Sequence, residues 1–256
     1  MLYKRIVSMS SSFFVNNQIE EIESFRAEAN LLLHGIRGTD AVIAIFDHHN
    51  YTPVLEVGEK EFWGNLPERP KAERMAQIMG LLEHDYLSFF TDSVKWFTDV
   101  LERIPFEHRK NIQIFHCGIR YRLLNDKPVS LLSKGLPIHY DSNRQFTYTF
   151  NYVQNIHHLL KKDFRYYWIR ISYGENSEYL HTFHSQDKQY STKDLLSVRE
   201  KEILKLVADD LDTKEIAERL FISTATVGNH RSNMIERLGA RDTTALVQLA
   251  KMTNII

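Results

Sequence analysis

The sequence predicts an α+β domain with a mostly antiparallel sheet, followed by a small all-α domain of four helices. Three observations carry this. Up to residue 190, short runs rich in aromatic and β-branched residues alternate with two or three helical stretches. Beyond it there is no Trp, no Tyr and a single Phe, Phe221, and apolar residues recur at helical spacing to the end. Between the two regimes, residues 185–194 are polar at every position but Tyr190, as a linker would be. The expected organisation is therefore a first domain over 1–184, a linker over 185–194 and a second domain over 195–256.

In the first domain, Ile19, Ile22, Phe25, Ala29 and Leu32 or Leu33 mark an opening helix that stops at Gly35 and Gly38. Residues 41–46 and 51–57 make a hairpin around the polar turn at 47–50, and 59–66 is an irregular connection. Helices are expected over 71–82 and 86–101, the second with Phe89, Phe90, Val94 and Phe97 on one side. The period then changes to two. Strands are expected over 112–123, 129–138 and 146–152, the last placing Phe146, Tyr148, Phe150 and Tyr152 on one face. Within 112–123 the apolar phase slips. Ile112 and Ile114 fall on one face, and Cys117, Ile119, Tyr121 and Leu123 on the other, as a bulge or burial on both faces would produce. Residues 164–173 and 179–184 form a final hairpin with Gly174 in its turn.

The second domain has a clearer pattern. A helix over 198–209 starts with a capping box, Ser197 with Glu200. A short helix over 214–220 is capped by Thr213. A longer one over 224–238 is capped by Ser223 and ends at Gly239, and a fourth covers 242–252. The middle pair is short helix, tight turn, long helix, with Phe221 and Ile222 expected to pack in the turn. This is the helix-turn-helix pattern, whose second helix enters the DNA major groove.

The run Leu196-Ser-Val-Arg-Glu-Lys-Glu-Ile-Leu204, then Lys214-Glu-Ile-Ala217, Ile222-Ser-Thr-Ala-Thr-Val227, His230, Met234, Arg237 and Leu238 resembles the DNA-binding domain of LuxR-type transcription regulators. The chain departs from that family's pattern at Asp210, where a turn glycine is usual, and at Gly228, where a charged residue is common. The resemblance implies double-stranded DNA as partner and a homodimer, paired through the fourth helix, whose apolar candidates are Leu246, Val247, Ala250 and Met252. At 100° per residue, Val227, Met234 and Leu238 form the buried stripe of the third helix, leaving Asn229, Ser232 and Asn233 as candidates for base edges. Thr226, Arg231 and Arg241, with Thr213 and Lys214, are the candidates for phosphates. His230 reads as a packing residue.

Charge constrains the affinity. The whole chain has a formal net charge of -1, so any nucleic-acid surface must be local. Residues 221–256 carry +2 and residues 193–220 carry −2, which puts the positive side on the long helix. So small a surplus predicts weak DNA binding by a monomer and useful affinity only for a dimer on two half-sites.

The first domain resembles PAS sensor domains over about residues 37–160. The hairpin over 41–57 is similar to their opening hairpin, and Glu83-His-Asp-Tyr-Leu-Ser-Phe-Phe90 is similar to their His-Pro-Asp-Asp helix start without its proline. The strands over 112–123, 129–138 and 146–152 are similar to their closing meander. The resemblance implies a domain that senses a small molecule or serves to dimerise, with the cofactor left open. Phe146, Tyr148, Phe150 and Tyr152, with Trp96, are the candidate pocket walls; that the four strand residues form one core face of the sheet is the favoured reading. Two other readings remain at this point. One is an acyl-homoserine-lactone-type receptor of similar length; the other is a protein-interaction module whose helical tail docks a partner protein.

Other chemistry is sparse. The histidine pairs 48–49, 157–158 and 181/184 lack cysteine or carboxylate partners at ligand spacing, so no metal site is expected. No phosphate-binding glycine loop, His-Glu-x-x-His or Gly-x-Ser-x-Gly occurs, so no enzyme is expected. One cysteine, no signal-peptide pattern and no apolar run near the roughly 18 residues of a membrane span predict a cytoplasmic protein.

Overall fold

The computed structural model describes residues 40–48, 52–58, 71–83, 86, 96, 99–122, 128–144, 146–174 and 179–256. The helix expected over 19–33 lies outside them, as does most of the one over 86–101, whose last turns at 99–103 are helical. Eight strands, β1 (Ala41–Asp47), β2 (Thr52–Gly58), β3 (Gln113–Arg122), β4 (Pro128–Tyr140), β5 (Phe146–Asn155), β6 (Trp168–Tyr173), β7 (Tyr179–His184) and β8 (Gln189–Ser191), form one sheet. Their order is β2-β1-β5-β4-β3-β6-β7-β8, with antiparallel neighbours throughout.

The phase slip in β3 is a bulge at Gly118. The partner of Cys117 is Leu132 and that of Ile119 is Leu131, so one residue is inserted. Gly118 has φ +87°, and a Cβ there would lie 2.8 Å from the Tyr166 carbonyl oxygen, so only glycine fits. The bulge corrects the expected facing. Ile119 and Tyr121 rejoin the cluster of Ile112 and Ile114, while Phe115 and Cys117 pack on the opposite side. The strand is thus both bulged and buried on two faces.

One face of the sheet carries helix α1 (Lys71–Gly80) and the 99–104 segment. Ile78 and Leu81 meet Val42 and Leu131, and Val100, Leu101 and Ile104 meet Ile114, Ile169, Ile171 and Phe183. The other face receives the C-terminal helices α2 (Val198–Ala208), α3 (Thr213–Leu220), α4 (Thr224–Leu238) and α5 (Thr243–Met252). Phe115, Cys117, Leu132, Phe164 and Trp168 share one continuous core with Leu204, Met234, Leu238 and Leu249. Fully burying side chains of this size stabilises by about 1.5–3 kcal/mol each. The two halves of the chain are therefore docked.

Residues 185–194, expected as a linker, carry β8 and end at Asp194, whose carboxylate is buried. Arg170 Nε and Nη2 donate to its two oxygens at 2.9 and 3.2 Å, Lys201 Nζ lies at 2.7 Å, and Arg170 Nη1 donates to the Thr253 carbonyl. Burial pushes the Asp194 carboxyl upward, but the hydrogen bonds and charges of Arg170 and Lys201 outweigh it and hold it below the ordinary carboxylate range.

Local signals placed most helix ends correctly. The capping box of Ser197 and Glu200 is present, and Ser223 accepts from Thr226 N. The cap of α3 is Asp212, which accepts from the N–H groups of Lys214 and Glu215, rather than Thr213, which is the first helical residue. Asp210 and Phe221 both have positive φ, 65° and 54°. Asp210 thus supplies the turn geometry for which a glycine is usual. Phe221, expected to pack in the turn, is 95% exposed; Ile222 packs instead.

Candidate nucleic-acid interface

Helix α4 divides as its periodicity requires. Val227, Met234 and Leu238 are fully buried, and Asn229, Ser232 and Asn233 are exposed along the outer side. The structure brings these three base candidates onto one solvent-facing stripe that ends at Glu236. The phosphate candidates lie around it in different states. Lys214 and Arg241 are exposed, and Arg241 Nε donates to Asp242 at 3.0 Å. Thr226 is half-buried, with its hydroxyl 2.8 Å from that of Ser223.

Arg231 is a connector. Its Nη1 donates to Thr213 Oγ1 at 3.0 Å and its Nη2 to Thr243 Oγ1 at 2.9 Å. One guanidinium in mid-α4 thus clasps the first residues of α3 and α5. Two helix N-termini, capped by the carboxylates of Asp212 and Asp242, and one cation meet there beside α4. Gly228 stands on the same helix with nothing among the described residues within 4 Å of where a Cβ would be.

The dimer candidates of α5 are mostly core. Leu246 and Ala250 are fully buried and Val247 and Met252 pack against the same cluster, so the chain's own core accounts for them.

The C-terminal end of α4 is pinned to the sheet domain. Trp168 Nε1 donates to the Leu238 carbonyl at 3.4 Å, and Lys161 N–H to the Gly239 carbonyl at 2.9 Å. Arg241 N–H donates to the Leu159 carbonyl at 2.8 Å. His184 Nε2 donates to the Arg237 carbonyl at 2.9 Å while its Nδ1 accepts from Gln186 N–H, which fixes a neutral ring; burial pushes its pKa down.

The chain is similar to known proteins. Residues 194–250 match the family model described as "Bacterial regulatory proteins, luxR family". Spore germination protein GerE of Bacillus subtilis is 44% identical over 68 residues, which are 26% of this chain and 92% of that protein. The chain belongs to the luxR family of bacterial regulatory proteins. The chain is also similar to the Fimbriae Z protein of Escherichia coli, 39% identical over 66 residues, which are 26% of this chain and 31% of that protein. Among solved structures, one of the Vibrio cholerae VqmA dimer in the absence of target DNA is similar at a TM-score of 0.30 and 15% identity, covering 93% of this chain and 88% of that one. With luxR-family membership established, the protein is a DNA-binding transcription regulator.

The pocket candidates of the sheet domain are not brought together. Tyr148, Phe150 and Tyr152 cluster with Ile43, Ile45, Leu55 and Leu136, whereas Phe146 and Trp96 belong to the cluster of Ile114 and Ile169. Register places Ile43, Tyr152, Lys134 and Phe115 in one row, so the first group lies on the face that also carries the luxR-family domain. The sequence reading missed His116 on the opposite, helix-covered face. It pairs in register with Ser133 and Ile169; its Nε2 is buried without a hydrogen-bond partner among the described residues, and burial lowers its pKa to about 4. A polar residue in phase with Ile112 and Ile114 was the available signal. Cys117 is buried and its thiol is pushed up, which makes it a packing residue. No helix among the described residues is long and apolar enough to cross a membrane.

Proposed function

We propose that the protein regulates transcription as a cytoplasmic homodimer, reading DNA through Asn229, Ser232 and Asn233 on α4 and anchoring on phosphates through Thr213, Lys214, Thr226, Arg231 and Arg241. The observation that carries this is the exposed polar stripe of α4, set over a fully buried stripe and flanked by cations. Dimerisation follows from the small surplus of positive charge, which gives one copy few counterions to release.

The sheet domain is a PAS-like sensor of a small molecule. Its hairpin β1–β2 lies beside the meander β3–β4–β5, and helical segments cover one face, an arrangement that supports this reading. So does His116, a neutral imidazole with an unused ring nitrogen on the helix-covered face, where a ligand hydroxyl, carbonyl or N–H would satisfy it. The signal reaches α4 through the shared core, since a sheet that shifts must carry residues 159–168 and the end of α4 with it.

The test is an electrophoretic shift with a pool of random duplexes at rising salt. Retention at low salt, lost as salt rises, with one sequence enriched on selection, is expected. A protein that retains no duplex, yet captures a protein partner through α2 to α5, overturns the proposal. Native mass spectrometry of the purified protein checks the sensor role through an added small-molecule mass that His116→Phe removes.

A further inference from the structure

The segment that follows β5 lies alongside the end of α4. Leu160 pairs with Ala240 in an antiparallel bridge, flanked by the hydrogen bonds from Lys161 N–H to Gly239 and from Arg241 N–H to Leu159. The Phe164 ring closes over Gly239, where a Cβ would come within 2.5 Å of three ring atoms. This part of the sheet domain is thus held at a fixed place beside α4, by backbone rather than by mobile side chains.

Its side chains are basic. Residues 157–168 contain Lys161, Lys162 and Arg165 against the single acid Asp163. Lys162 and Arg165 are exposed and adjacent, with Arg165 Nη1 donating to the Lys162 carbonyl. Lys161 reaches the carboxylate of Glu236. Glu236 sits one turn beyond Ser232 and Asn233 on the outer side of α4, where an uncompensated negative charge would face the phosphates of a bound duplex. Nothing in the luxR-family domain alone pairs with Glu236 among the described residues; the neighbouring Arg237 is drawn to Asp187 of the β7–β8 turn.

We infer that residues 159–165 of the sheet domain are part of the DNA interface: Lys161 neutralises Glu236, and Lys162 and Arg165 contact phosphates flanking the bases read by α4. This rests on the DNA-binding reading above and extends it, because the sensor domain then sets affinity directly as well as through the position of α4. Any signal that moves the segment removes cations from the duplex.

The experiment measures affinity of the full-length protein for one fixed duplex by fluorescence anisotropy between about 50 and 200 mM salt. In Lys162→Ala/Arg165→Ala the slope of log affinity against log salt is expected to shrink by about 1.8, at roughly 0.9 per lost phosphate contact, so that the loss across this range is about tenfold smaller than for the wild type. Lys161→Ala is expected to weaken binding several-fold, and Lys161→Ala/Glu236→Ala to restore it. Thermal unfolding of each variant shows that the fold is kept. An unchanged slope in the double variant, while the wild type binds and Asn229→Ala alters sequence preference, overturns this inference alone. A wild type that binds no duplex at low salt overturns both it and the DNA-binding reading.

Discussion

Arg170 and Asp194 form a two-pronged ion pair with side chains only 3% and 4% exposed, joining β6 to the residue that leads into α2. Removing Arg170 leaves the buried Asp194 carboxylate with Lys201 as its remaining cation, and breaking a buried pair of this kind costs up to about 3–5 kcal/mol. Arg170→Met is therefore expected to loosen the luxR-family domain from the sheet, so that denaturant unfolding separates into two transitions. Arg170→Met/Asp194→Leu should recover much of the loss. A single variant that still unfolds in one transition at the wild-type midpoint would contradict the docking role.

Gly239 closes α4 with φ +73° and lies under the Phe164 ring. Both the left-handed backbone and the ring contact exclude a side chain. Gly239→Ala is expected to cost about 1–3 kcal/mol, from strain together with displaced packing. Phe164→Ala in the same chain removes the clash and leaves the strain. Thermal melts of the two single variants and the double should then show coupling between the sites. Additive shifts would place the cost in the backbone alone.

Asn229 and Arg231 stand two residues apart on α4 and are expected to behave differently. Asn229 is exposed and its side chain makes no hydrogen bond or ion pair among the described residues, so Asn229→Ala should leave the melting temperature unchanged and relax sequence preference, by about 1–3 kcal/mol at one base pair. Arg231 ties α3 and α5 to α4, so Arg231→Ala should lower stability by about 1–2 kcal/mol as well as weakening binding to every sequence. Selection on a duplex library and thermal melts of both variants check this. An equal effect of both on all sequences would count against the assignment.

The parts of the fold that local chemistry dictates were legible. Caps, the left-handed Gly239 and the buried stripe of α4 follow from residue type and spacing, which act within one turn. The bulge in β3 was legible as a phase slip, but its direction was not. Which of Ile119 and Cys117 returns to the first face depends on where the extra residue sits, and only the contact of Gly118 with Tyr166 fixes that. The docking of the two halves was hidden for another reason. The polar run over 185–194 has the composition of a linker, yet Asp194 is held by Arg170 and Lys201, partners that no periodicity brings together. The segment over 159–165 escaped notice too, because its lysines gain meaning only beside Glu236, 75 residues away.

Gly228 is exposed to a simple test. Within a helix, glycine costs about 0.5–1 kcal/mol relative to alanine, and here no atom of the described residues stands within 4 Å of the added Cβ. Gly228→Ala should raise the melting temperature by a few degrees. If DNA affinity falls at the same time, the empty space is where the duplex backbone approaches; unchanged affinity means that the glycine serves no close contact. A lower melting temperature would contradict the open position of this residue.

Acid should weaken the fold through its histidines. Burial lowers the pKa of His116 from 6.5 to about 4, and that of His48, whose Nε2 lies 2.8 Å from Thr149 Oγ1 between the rings of Phe46 and Phe146, to about 4 as well. His184 is lowered in the same direction. A group whose folded pKa lies below its unfolded value binds its proton more readily in the unfolded chain. The stability it contributes is thus complete above pH 6.5 and is lost as pH falls toward 4. For His116 and His48 these differences correspond to at most roughly 3–4 kcal/mol each. Denaturant midpoints measured from pH 7.5 to 4.5 should fall steadily below about pH 6.5, and His116→Phe should flatten the curve. His184 adds a specific consequence, because a proton on Nδ1 removes the acceptor used by Gln186 N–H and so frees the turn that leads into β8, while Nε2 still donates to the Arg237 carbonyl. Proteolysis between the sheet domain and α2 should therefore accelerate over the same interval. A midpoint that stays level down to pH 4.5 would show that these rings are hydrated and titrate as free histidines do.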